Sequence, residues 1–380
     1  MALVKCKNCN KQISDKAFKC PHCGTEYNNV TEQSVPSTNS QEENLQISKK
    51  ELEITETSLK PKSNTKKLGF LFCLLGLIIV GLGIFFMINS SPTSKAWDDK
   101  WPYYSQGLLD KAKSGDALAQ AQVAYCYENA RGIEENPEQA FFWAKKSAEQ
   151  GNAEGLNRLG VCYYAGIGVD VDYAMAKRYF ERATVQGNVQ AKTNIGSLYF
   201  YGDGVEQDYE EAFRWYKEGA EEGNAVGQHQ LGICYYNGFG VEQNYEEAVK
   251  WLGKAADQKF PEAITGLAGL YLDGDGVAKN EKKALELLKQ ASELDYPPAK
   301  LTLGGCYFWG RGGEINISEA EKLFMEAAKS NDPIILYKIG LNYLENDISD
   351  SFKQKGIDYL KKAANLGSEE AKMKLIELGV

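Results

Sequence analysis

The chain has 380 residues, 43 Lys+Arg against 52 Asp+Glu, and a formal net charge of -9. The acidity is concentrated beyond residue 103, where 30 basic groups face 42 acidic ones, a net of -12. A region that negative repels phosphate backbones, which argues against a nucleic-acid binder.

At the N-terminus, Cys6-x-x-Cys9 is followed by Cys20-Pro21-His22-Cys23. Each C-x-x-C makes a tight knuckle presenting two thiolates, and two knuckles close a tetrahedral all-sulfur shell. Zinc suits such a shell, in a structural role because no coordination position stays open. Redox dithiols, an iron centre or a ligand role for His22 are the alternatives. Residues 1–27 cannot bury enough surface to fold unaided, so metal binding is expected to drive their folding. The pattern resembles a short zinc ribbon. Its five lysines either touch phosphate or offset the charge of a four-thiolate site.

Residues 28–67 are rich in Ser, Thr, Asn, Gln, Glu and Lys and lack aromatics, a composition expected to form a flexible tether. Residues 68–88 (LGFLFCLLGLIIVGLGIFFMI) carry no charge. As a helix they would extend about 31 Å, enough to cross a bilayer core once. Lys60, Lys62, Lys66 and Lys67 precede this run, whereas Lys95 and Lys100 beyond it are offset by Asp98 and Asp99. The bias predicts a cytoplasmic N-terminus and extracytoplasmic repeats, as at a bacterial inner membrane. Residues 89–114 read as a juxtamembrane segment.

From 115 to 380 the sequence repeats every 36 residues. Gly115, Gly151, Gly187, Gly223 and Gly367 share one slot, and Lys259, Asp295 and Asn331 fill it in the other copies. In each copy, apolar and small residues at helical spacing (Ala153, Leu156, Leu159, Gly160, Tyr163) lead to a turn, Gly166-Ile167-Gly168-Val169. A second amphipathic stretch follows (Tyr173, Ala176, Tyr179, Phe180, Ala183). Hairpins of this kind cannot cover their own apolar faces and must stack. Cys126, Cys162, Cys234 and Cys306 share a slot with Leu198 and Leu270, which predicts unpaired core thiols.

The pattern A-x-x-x-L-G-x-x-Y-x-x-G-x-G-V resembles the Sel-one-like repeat family, a tetratricopeptide relative. The resemblance implies an all-α fold: a right-handed α/α superhelical solenoid of about seven hairpins, Asp116–Gly151 to Asp332–Gly367, closed by Ser368–Val380. It also implies a concave face that takes protein or peptide partners. Ala130 departs from the turn pattern in the first copy, and Asn346 and Ile348 depart from it in the last. The glycine turns repeat in nearly every copy, so they read as backbone devices and not as phosphate loops.

No catalytic constellation is visible. The chain holds two histidines, His22 and His229, and pairs such as Glu210-Glu211 suit helix N-termini. No small-molecule substrate is expected. Two slots vary between copies and are expected to form the partner surface: Asn157, Thr193 and His229 in one, Tyr201 and Trp309 in the other. The reading is a single-pass membrane scaffold. Its alternatives are a transmembrane sensor whose ribbon contacts a protein or nucleic acid, and an envelope-associated enzyme or enzyme regulator.

Overall fold

A computed structural model describes residues 3–5, 12–14, 101–345 and 350–380. Two separate units are distinguished, 1–65 and 66–380. In the first, β1 (Leu3–Lys5) pairs antiparallel with β2 (Gln12–Ser14), Val4 opposite Ile13. The four ribbon cysteines, the tether and the 68–88 run lie outside the described residues. Among the described residues no helix is long and apolar enough to cross a membrane.

The second unit is a stack of helical hairpins. A leading helix, α1 (Gln106–Lys113), lies within the stretch read as juxtamembrane. The copies follow as α2 (Ala117–Glu128) with α3 (Pro137–Glu149), α4 (Ala153–Ala165) with α5 (Tyr173–Val185), and α6 (Val189–Tyr201) with α7 (Tyr209–Glu221). Then come α8 (Ala225–Asn237) with α9 (Tyr245–Asp257), α10 (Pro261–Asp273) with α11 (Glu281–Glu293), and α12 (Pro297–Trp309) with α13 (Ile317–Ala328). The seventh pair is α14 (Pro333–Leu344) with α15 (Asp350–Asn365), and α16 (Glu369–Glu377) closes the array. Over its described residues this unit is thus an all-α solenoid of seven hairpins.

Local chemistry sets these boundaries. Asn or Asp N-caps start most helices: Asn152 accepts from the Gly155 N–H, Asn224 from Gly227 and Asp208 from Glu211. Phe260 and Tyr296 occupy two caps without a side-chain bond, and there the following residues, Pro261 and Pro297, need no partner for an N–H. Within the first six turns the second helix's N-cap N–H returns to a tyrosine carbonyl, as Asp172 to Tyr163 and Asn244 to Tyr235. That tyrosine recurs in all seven copies, from Tyr127 to Tyr343.

Packing inside a hairpin depends on a small residue on the first helix. A Cβ added at Gly160 would sit 2.6 Å from the Phe180 ring, and one at Gly196 2.7 Å from Tyr216. Helix axes can approach closely only because those positions lack side chains. Copy to copy, Tyr164 donates to Asp203 at 2.6 Å and Tyr236 to Asp275 at 3.2 Å, while Phe200 meets the Phe239 ring edge-on at 5.4 Å. Cys126, Cys162, Cys234 and Cys306 are buried and form no disulfide, as their shared slot predicts. Burial pushes the Cys234 and Cys306 thiols up to about 12.

Candidate partner-binding surface

First helices of successive copies meet directly at α2–α4, α6–α8, α10–α12 and α12–α14, and no pair of successive second helices comes as close among the described residues. The first helices therefore form the inner wall of the stack. The slot holding Asn157, Thr193 and His229 does not lie on the open face of that wall. These side chains are 1%, 1% and 2% exposed. Asn157 accepts from Asn194 of the next copy at 2.9 Å, and Thr193 donates to Asn224 at 3.2 Å. His229 packs edge-on against Phe260 at 5.3 Å. The slot varies because each seam between hairpins is packed differently, so the expectation of an exposed recognition surface there is corrected. Burial drives the His229 imidazole down to about 4, keeping it neutral.

Tyr201 and Trp309 close the ends of α6 and α12 and remain half-buried. The Trp309 indole N–H donates to Asn342 of the following copy at 3.1 Å, and its ring meets Phe308 edge-on. Tyr201 meets Phe200 in the same way. Each leaves part of its aromatic ring exposed at the end of its helix.

The segment just before α1 was not singled out from its sequence. Trp101 stacks on Tyr125 of α2 at 4.9 Å, and the Arg158 guanidinium of α4 lies over both rings, 4.9 and 4.5 Å away. Glu154 and Glu128 hold that guanidinium at 2.9 and 3.4 Å. The Cys126 thiol donates to the Pro102 carbonyl, and the Tyr104 N–H to the Arg131 carbonyl. A stretch without regular secondary structure thus lies against the inner wall of the first two copies. An aromatic side chain anchors it there.

Further along, the wall changes character. Glu262, Gly266 and Gly269 share one face of α10 at spacings of four and three. An added Cβ at Gly269 meets nothing within 4 Å, and one at Gly266 meets only the Leu252 side chain, at 3.6 Å or more. In earlier copies the slot of Glu262 is partnered: Asn188 donates to Glu154 and Asn224 to Gln190, at 2.9 and 2.8 Å. Tyr296 replaces that asparagine for Glu262, and the Glu262 Oε2 is buried without a partner. Burial raises this carboxyl to about 7. Gln230, which precedes Gly266 by one copy in the same slot, is 3% exposed with an unpaired Oε1.

Among the described residues no group of His, Cys, Asp and Glu is arranged to hold a metal ion. Cys6, Cys9, Cys20 and Cys23 lie outside them.

The residues match the Sel1 repeat over seven segments: 117–152, 153–188, 189–224, 225–260, 261–296, 297–332 and 337–368. Among solved structures, a protective antigen of uropathogenic Escherichia coli displaying an SLR fold is 29% identical, with a TM-score of 0.51. That match covers 72% of this chain and 58% of the antigen, so the chain spans little more than half of the antigen's length. A Sel1 repeat protein from Oxalobacter formigenes is 30% identical, TM-score 0.51, covering 57% of this chain and 89% of its own. No curated protein matches the chain.

Proposed function

The chain belongs to the Sel1 repeat family, and on that basis we propose that it is a membrane-anchored, non-catalytic scaffold that seats a protein or peptide on its first-helix wall. One observation carries the reading: Trp101 and Pro102 lie along that wall over two copies, as a partner segment would. Tyr201 and Trp309 are the aromatic anchors assigned to the rim.

The anchor is the uncharged 68–88 run, with the N-terminus cytoplasmic and the repeats extracytoplasmic. The head holds structural zinc through Cys6, Cys9, Cys20 and Cys23. The β1–β2 pair brackets the first knuckle in sequence, which supports this reading. Metal analysis of the purified chain should find about one zinc, lost in a Cys6→Ser, Cys9→Ser variant.

Crosslinking with mass spectrometry in native membranes tests the scaffold. Partners should disappear when residues 115–380 are removed and persist in the Cys6→Ser, Cys9→Ser variant. Partners that follow the head alone would refute the reading and favour a sensor.

A further inference from the structure

We infer that the wall between α8 and α12 takes an extended, basic polypeptide segment, its backbone against Gly266 and Gly269 and a Lys or Arg side chain donating to Glu262. This rests on the scaffold reading and adds the partner's chemistry.

Three observations meet at this place. The floor is open, because two glycines of one helical face leave room where the two preceding copies carry side chains: Asn194 and Gln230 precede Gly266 in its slot, and Ser197 and Ile233 precede Gly269. A backbone can therefore lie closer to α10 than to α6 or α8. Two unpaired acceptors, Glu262 Oε2 and Gln230 Oε1, lie here beside the unpaired His229 Nε2, and a donating partner would satisfy the two oxygens. Amide N–H, ammonium and guanidinium groups qualify, and carboxylates and phosphates do not. Charge agrees, since the region beyond residue 103 has a net of -12.

Glu262 is a specific vacancy and not a general property of the repeat. Its slot is satisfied by Asn188 and Asn224 in two earlier copies. An incoming cation would supply the donor that Tyr296 does not. The mode of approach has a counterpart in the chain itself, because Trp101 already lies on the equivalent wall of the first two copies. At that end Arg158 is held by Glu154 and Glu128, so a cation on the first-helix wall is matched by carboxylates there too.

The test uses the full chain in detergent and a fluorescein-labelled peptide of alternating Arg and Ala, compared with its Glu–Ala counterpart. Anisotropy should show the Arg peptide binding about tenfold tighter or more. Gly269→Gln keeps every charge but fills the floor, and Glu262→Gln removes the acceptor's charge. Each should weaken the Arg peptide about fivefold or more with unchanged helical circular dichroism, and Gly269→Gln should do so with unchanged melting. Glu134→Gln with Glu135→Gln, on the exposed first turn, should leave it unchanged.

Equal binding of both peptides, or wild-type affinity in Gly269→Gln and Glu262→Gln, would overturn the inference and reduce the attraction to diffuse charge. Repeat-dependent crosslinks would then still support the scaffold. Conversely, crosslinks that follow the head would remove the scaffold reading whatever the peptide does.

Discussion

Lys259, Asp295 and Asn331 hold φ angles of 61°, 59° and 52°, the left-handed region, in a slot that glycine fills at its five other occurrences. The turn demands that conformation whichever residue is present. Lys259→Gly should therefore stabilise the array by about 0.5–1 kcal/mol in urea unfolding, since lysine gains nothing visible from the strain. The opposite holds at Gly240, where φ is 67° and an added Cβ would sit 2.0 Å from the Tyr209 carbonyl oxygen. Gly240→Ala should cost about 2 kcal/mol or more by the same measurement.

Two buried titratable side chains give the array opposing pH dependences. Glu262, raised to about 7 from 4.5, stays neutral when folded while the unfolded chain ionises, so stability falls as pH rises from about 4.5 to 7. His229, lowered to about 4 from 6.5, resists protonation when folded, so stability falls as pH drops from about 6.5 to 4. Glu262→Gln should remove the first slope, raising stability at pH 8 by on the order of 1–3 kcal/mol, and leave the second intact. Equal unfolding free energies for wild type and variant at pH 8 would show that Glu262 is hydrated in the folded chain.

At the scale of the helix, the N-caps do two things. Asn224 caps α8 through Gly227, accepts from Thr193 and donates to Gln190, tying one copy to the next. Asn244 caps α9 through Glu247 and is exposed. Asn244→Ala should cost about 1 kcal/mol, and Asn224→Ala about 2 kcal/mol, because the second loses the coupling as well. Equal costs would mean that the seam bonds contribute nothing. The hairpin pattern itself was legible: turns, first-turn acids such as Glu210 and Glu211, and the Leu/Cys core slot lie where the period places them. The leading helix α1 was not legible, because Gln106–Lys113 falls outside the repeat and carries only two apolar side chains beside Ala112 to mark a face.

At the scale of the whole array, stability follows from neighbour covering neighbour. Removing residues 297–380 should lower both the unfolding midpoint and the denaturant slope, since α10 and α11 lose the copy that buries them. An unchanged midpoint would show that the copies fold independently.

Composition and period were enough to establish a helical repeat, its seven copies and its buried cysteines, because each depends on contacts repeated at one fixed spacing. The tertiary structure alone decided that Asn157, Thr193 and His229 fill seams, that Trp101 lies on the inner wall, and that Glu262 lost its partner. Those outcomes depend on residues 24 or more positions apart, whose meeting is set by how hairpins stack. No local pattern encodes that geometry.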